Sequence, residues 1–315
     1  MSYEIRRPTL EDVPQAAAVL RECQLHDFGY ADSTEEDVAV GWRMLDLERD
    51  TWVVSEGGAL VAVAVVRDNR PTKVWAFAEV LPAHRGRGLG ARLLELVETR
   101  AHEAIAKAPP DTRVNLTQEF GPQNDAAQDL LERSGYMFAR RFWAMAIDVN
   151  EEIPAVELPP GLRLETFAPG NERAVFDATE DAFRDHWDFI PHDYDEWRRW
   201  NVERESFDPS LWLLVLDGDE IAGASLCSVR EGEGYVGILG VRQPWRRRGL
   251  GLCLLRASFA EFRRRSFARV TLHVDSENPT GATRLYELAG MRVVAQSDAY
   301  RKVLREGVSA GAGVG

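Results

Sequence analysis

Apolar positions follow two rhythms along this chain. LWLLVLDGDEIAGASL, from Leu211, sets two short apolar runs on either side of Asp-Gly-Asp, which predicts a β-hairpin over 211–216 and 221–225. TWVVSEGGALVAVAVV, from Thr51, repeats the pattern around Gly-Gly. Residues 235–241 read as a longer strand, and 269–274 alternate as a strand should. Between them, 250–265 place Leu252, Leu255, Phe259 and Phe262 on one helical stripe. Residues 279–289 predict a second helix, closed by Gly290 at a left-handed cap position. Residues 4–7 and 163–167 open the two halves as strands. Each half therefore reads as strand, helices, hairpin, long strand, helix, strand, helix, strand, in a mixed α/β class.

The two halves look like one unit written twice. Trp52 lies 33 residues before Arg85, and Trp212 lies 34 before Arg246. The Arg-x-x-Gly-x-Gly elements begin 161 residues apart. Asn124 with Gly135 and Asn278 with Gly290 form a second matched pair. A period this long excludes a solenoid and predicts a tandem duplication. The acidic stretch NEEIPAVELPPG, with three prolines, predicts a linker and sets domains at 1–150 and 151–307. A small-residue tail over 308–315 is expected to be disordered.

At 315 residues, two domains are what the length suggests. A hydrophobic share of 45% and a charged share of 28% suit globular cores. The net charge of −13 repels phosphate backbones, so no nucleic-acid partner is expected. No apolar run reaches ~18 residues and no apolar leader opens the chain, so neither a membrane partner nor secretion is expected. Three widely separated cysteines, at 23, 227 and 253, form neither a disulfide framework nor a metal set. The expected compartment is the cytoplasm, with no metal; the oligomeric state is left open.

The chemistry is expected where a strand turns through glycines into a helix, GILGVRQPWRRRGLGLCLL in the second half. A helix N-terminus offers unpaired N–H groups and a positive dipole end to an anion. Gly249 and Gly251 let the backbone approach a ligand, while Arg246, Arg247 and Arg248 add positive charge. A diphosphate fits such a site. Neither half carries the Gly-Lys-Ser/Thr of a Walker loop. The dinucleotide pattern of Gly86, Gly88 and Ala91 is broken in the second half by Leu254.

Val241 with Arg246, Gly249, Gly251, Leu254 and Leu255 resembles the acetyl-CoA signature of GNAT-type N-acetyltransferases. Val80 with Arg85, Gly88, Gly90, Leu93 and Leu94 resembles it too, as does DSENPTGATRLYELAGM downstream. The resemblance covers roughly residues 3–148 and 162–304. It implies two domains, each a mostly antiparallel twisted sheet with a splayed central strand pair and flanking helices. It further implies acetyl-CoA as the cofactor, its pantetheine along Leu239, Gly240 and Val241 and its diphosphate on the loop from Arg246 through Leu250 to Gly251, with Asn278 near it. In the first half the same resemblance points to Val80, Arg85, Gly86, Arg87, Gly88 and Gly90.

The resemblance also implies direct attack by an amine, with no covalent enzyme intermediate. Tyr286 is then the expected acid: a phenol, with a reference pKa near ~10, stays protonated at neutral pH and donates to a departing thiolate. Asn278 and Pro279 are expected as N-cap and first residue of its helix. Leu131 takes the corresponding place in the first half, so that domain is expected to be degenerate and at most to bind the cofactor. Asp185, Trp187 and Tyr235 are expected to face a cationic amine. No general base is singled out among Glu233, His273, Asp275 and Glu277.

The function expected is acetyl transfer to the primary amine of a small molecule. Mycothiol synthases, which acetylate a cysteinyl pseudodisaccharide, share the tandem layout and resemble the second half through LGV, RRRGLG and LYELAGM. They carry a glutamate where Tyr235 aligns. A non-catalytic acyl-CoA sensor is the rival from another class, and acetylation of a protein amine is a third possibility.

Overall fold

The computed structural model describes residues 2–150, 153–154, 157–186 and 189–308. Among them the chain forms twelve strands and ten α-helices, gathered into two compact units, Met1–Phe142 with Gln296–Gly315, and Trp143–Ala295. None of these helices is long and apolar enough to cross a membrane.

The first unit runs β1 (Tyr3–Arg6), α1 (Val13–Phe28), α2 (Glu35–Arg43), α3 (Leu47–Asp50), β2 (Thr51–Glu56), β3 (Ala59–Arg67), β4 (Lys73–Val80), α4 (Leu89–His102), α5 (Ala104–Lys107), β5 (Val114–Phe120), α6 (Asp125–Arg133) and the start of β6 (Met137–Asp148). Its strands lie in sequence order from β1 to β5. All pairs are antiparallel except β4 with β5, which meet in parallel only at Lys73–Trp75 and then part. One face packs Leu93, Val97 and Leu116 under α4, and the other packs Ala16, Val19, Val53 and Val63 under α1.

The second unit repeats the plan with β7 (Leu162–Thr166), α7 (Glu172–Phe183), α8 (Tyr194–Asn201), β8 (Trp212–Asp217), β9 (Glu220–Arg230), β10 (Glu233–Val241), α9 (Leu250–Arg264), β11 (Arg269–Asp275), α10 (Ala282–Leu288) and the start of β12 (Arg292–Arg305). Its order is β7-β8-β9-β10-β11, with β6 beside β11. The buried stripe of α9 runs through Leu250, Leu254, Leu255, Ser258, Phe259 and Phe262, passing Leu254 where Leu252 was expected. Phe259 and Phe262 are fully buried, each contributing about 2–3 kcal/mol by leaving water. Gly234 is dictated by this helix: a Cβ there would stand 2.7 Å from the Phe262 ring.

The expected boundary at 150/151 differs from the observed units. Residues 143–150 belong with the second unit, and the chain from Gln296 on belongs with the first. β12 pairs antiparallel with β5, from Asp298 opposite Phe120 to Arg305 opposite Val114. An alternating strand pattern fixes which face is buried, not which sheet edge receives the strand. Val308, expected in a disordered tail, bridges Thr112, and its N–H donates to the Asp111 carbonyl at 2.8 Å. Residues 309–315 and part of the expected linker lie outside the described residues.

Candidate active site

β10 holds the second unit's site open. It pairs with β11 only at Gly234–Val270 and Tyr235–Thr271, and then the two strands part. Its register with β9 shifts between Val236 and Ile238, a bulge that re-aims the strand at that point. Beyond the parting, a cleft of about 750 Å³ is lined by Leu239, Gly240 and Val241, by the loop at Arg246, Arg247, Gly249, Leu250 and Gly251, and by Leu285 and Tyr286 of α10.

The loop ends on Gly249, the N-cap of α9, at φ +81°, a conformation that favours glycine. No side chain caps this helix, so its first N–H groups face the cleft as anion donors. This geometry fits a diphosphate, which Gly249–Gly251 and Arg247 could hold. Arg247 is exposed and itself adopts φ +61°. Arg248 is exposed and outside the cleft lining.

Arg246 differs from the expectation. Its Nε donates to the Val241 carbonyl at 3.0 Å, Nη1 to Asp185 at 2.5 Å and Nη2 to the Ala182 carbonyl at 3.0 Å. It therefore ties strand end, loop and α7 together, rather than reaching toward an anion. The same bonds engage the Val241 carbonyl and the Asp185 carboxylate, which were expected to meet cofactor and amine. Asn278 is not the N-cap of α10: Gly281 is, and the Asn278 carboxamide oxygen accepts from the N–H of Thr280 at 2.9 Å in a turn before it. Trp187 lies outside the described residues.

Tyr286 reaches the cleft from α10 and is buried among Leu255, Leu272 and Met291. Burial, with a further contribution from Tyr235, pushes its phenol up to about 12. The Tyr235 hydroxyl lies 3.3 Å from His273 Nδ1. Sequence reasoning missed His186, which lines the cleft and packs on Phe183 with ring centres 4.3 Å apart. Burial, then the Arg246 guanidinium, hold its imidazole below the usual range, which keeps it neutral at pH 7. Its only sequence signal was a place among the aromatics after α7.

The first unit keeps the loop but has neither the bulge nor the phenol. A cleft of about 360 Å³ is lined by Val80, Arg85, Gly86, Gly88 and Gly90. Arg85 repeats the role of Arg246: Nε donates to the Val80 carbonyl at 2.9 Å, and the guanidinium pairs with buried Asp27 at 2.7 and 2.9 Å. Arg87, expected at the cofactor, instead donates to the Tyr3 hydroxyl and the Ala83 carbonyl. β4 runs along β3 with no register shift, so the bulge is absent, and buried Leu131 stands where the phenol would be. Asn124 does cap α6, accepting from the Ala127 N–H at 3.1 Å.

The comparisons agree with this architecture. The profile of the acetyltransferase (GNAT) family matches residues 17–136 and 173–291. A mycothiol acetyltransferase of Saccharopolyspora erythraea is 32% identical, over 75% of this chain and 79% of its own length. Another, from Thermobispora bispora, is 33% identical over 67% of this chain and 70% of its own. The crystal structure of a GCN5-related N-acetyltransferase from Sphaerobacter thermophilus superposes with a TM-score of 0.81 at 34% identity, covering 98% of each chain. A tandem GNAT protein from the clavulanic acid biosynthesis pathway shares the fold, with a TM-score of 0.70 at 17% identity over 96% of this chain and 99% of its own. With two matched regions, two repeats of one sheet plan and a glycine loop at each parted strand pair, this chain belongs to the GNAT family of acetyltransferases, whose acetyl donor is acetyl-CoA.

Proposed function

We propose that the second unit transfers an acetyl group from acetyl-CoA to the primary amine of a small molecule, by direct attack within a ternary complex. One observation carries the reading: the buried Tyr286 phenol lines the cleft that ends on the Gly249–Gly251 loop, beside the only one of the two splayed strands that carries a bulge. Acetyl-CoA supplies a thioester whose sulfur needs a proton as it leaves. Tyr286 is protonated at neutral pH and donates it. The free N–H edge of β10 beyond the bulge polarises the carbonyl under attack. The Gly249–Gly251 loop fixes the diphosphate, and Arg246 fixes that loop.

The acceptor we favour is the cysteinyl pseudodisaccharide precursor of mycothiol. The support is the name shared by relatives that are 32% and 33% identical over most of both chains. Incubating the protein with acetyl-CoA and a panel of amines that includes this precursor, while following thiol release, tests both levels. Release with the precursor alone supports the specific acceptor, and release with other amines alone rejects it. Tight binding of acetyl-CoA without release for any amine identifies a sensor and rejects the transferase reading.

A further inference from the structure

We propose that Tyr235 and His273 form the relay that removes the proton from the acceptor ammonium. The proposal rests on the reading of the second unit as an acetyl-transfer site.

The two residues stand where the strands part. Tyr235 is the last residue of β10 paired with β11, opposite Thr271, and His273 lies two residues further along β11. Both project from the same face. Val236 packs into the core with Leu255 and Phe259, and a Cβ on Gly234 would meet Phe262, so the alternation turns Tyr235 away from α9. Val270, Leu272 and Val274 enter that same core, which turns His273 away from it as well. Their polar ends meet, with the Tyr235 hydroxyl 3.3 Å from His273 Nδ1 and ring centres 5.8 Å apart. The Tyr235 ring lies back along its own strand: a Cβ on Gly237, at the bulge, would stand 3.4 Å from Tyr235 Cε1.

Neither residue lines the cleft itself; Tyr235 borders a smaller pocket with Arg230 and Gly237. From Val241, at the loop, back to Gly237 is about 13 Å at ~3.3 Å per residue, a span that an extended pantetheine arm covers, and Tyr235 stands two residues beyond that point. Tyr286 comes to the same region from α10, close enough for Tyr235 to raise its pKa. The two phenols differ in setting. Tyr286 is buried in the cleft wall and holds its proton until the thiolate forms. Tyr235 is half-exposed, hydrogen-bonded to an imidazole and covered by the Arg230 guanidinium, 4.1 Å from its ring centre. Two groups of one chemical type in opposed environments divide into an acid and a base.

The proton balance closes. His273 in the Nε2–H form accepts from the Tyr235 hydroxyl as that oxygen takes a proton from the ammonium. The freed nitrogen lone pair forms the C–N bond while the thioester C–S bond breaks, and the sulfur keeps the electron pair and takes the Tyr286 proton. The second proton lost by the nitrogen restores Tyr286. Exposed His273 returns its proton to water, so one proton is released per amide formed.

The test uses the whole chain, acetyl-CoA and an amine that the unaltered protein acetylates. Tyr235→Phe and His273→Ala are each expected to lower kcat by about 10²-fold while the acetyl-CoA Kd from calorimetry is unchanged. The double variant is expected to match the singles, because one relay is broken in each case. Added imidazole is expected to restore His273→Ala and to leave Tyr235→Phe unrepaired. A His273→Ala kcat within about threefold of the unaltered protein overturns the relay, and so does a loss that imidazole leaves in place. A rise in acetyl-CoA Kd that accounts for the lost activity overturns it too, by revealing a packing role. If the unaltered protein releases no thiol with any amine, the transferase reading falls first and the relay falls with it.

Discussion

The Arg246 guanidinium closes on the Asp185 carboxylate at 2.5 Å and, with its other two nitrogens, on the carbonyls of Val241 and Ala182. The arginine of the glycine loop is thus a brace, and its twin Arg85 braces the first unit through Asp27. Arg246→Ala is expected to weaken acetyl-CoA binding about tenfold by loosening the loop, and Asp185→Asn less, because that carboxylate is half exposed and its ion pair is screened. The double variant is expected to lose less than the sum of the two. Arg246→Lys should fail to restore affinity, since one ammonium cannot span three acceptors set at the corners of a guanidinium. Arg247→Ala, which removes a cation from the cleft lining and leaves the brace intact, should add to either change. Calorimetric titration of each variant reads these losses; full additivity of Arg246→Ala with Asp185→Asn rejects the brace.

Much of this site was written locally. The glycine spacing, the strand before it and the helix after it are neighbours in sequence, so Gly249, Gly251 and their copies at Gly88 and Gly90 were legible from pattern alone. Tyr286 was singled out by the family resemblance, four residues before a capping glycine, and it lines the cleft. What the sequence concealed depends on residues far apart. Arg246 reads as a free cation until α7 brings Asp185 to it across 61 positions. The contact of Tyr235 with His273 spans 38 positions and needs the parallel pairing of β10 with β11. The placing of β12 beside β5 was hidden because nothing in a strand's own residues names its neighbour.

Tyr286→Phe removes one hydroxyl from a buried ring and keeps its packing. We expect kcat to fall by 10²-fold or more with the acetyl-CoA Kd unchanged. The pH dependence follows from the direction of the shift. Only the protonated phenol donates, and burial has pushed its pKa up to about 12, so its contribution extends through the whole neutral and mildly alkaline range. A rate profile from pH 6 to 10 should carry no alkaline limb belonging to this group. An alkaline limb in this range that vanishes in Tyr286→Phe contradicts the raised pKa, and an unchanged kcat in that variant contradicts the acid role.

Gly234→Ala is a test of packing alone. The new methyl would lie 2.7–2.8 Å from three atoms of the Phe262 ring, which is fully buried and has no room to retreat. Overpacking of this kind costs about 1–3 kcal/mol. Chemical denaturation should show that loss, and Gly234→Ala combined with Phe262→Leu should recover part of it. A Gly234→Ala protein as stable as the original rejects the claim that α9 dictates this glycine.

Glu79 gives the first unit a signature in pH. It projects among Cys23, Asp27 and Arg85, wrapped by protein yet open to the cleft, and burial, with Asp27 as a second cause, pushes its carboxyl up to about 7. A folded pKa raised above the ordinary carboxylate value means that the folded state favours the neutral acid. Its stabilising effect is complete below about pH 4.5 and is lost as pH rises through 7. Glu79→Gln holds the site permanently neutral, and so should raise the melting temperature at pH 8 while changing little at pH 5. Arg85 opposes the shift and Asp27 reinforces it, so Asp27→Asn should shrink the pH 8 gain. Thermal unfolding of the original and the Glu79→Gln protein at both pH values decides the matter: an equal change at pH 5 and pH 8 shows that the substitution acts through shape rather than charge.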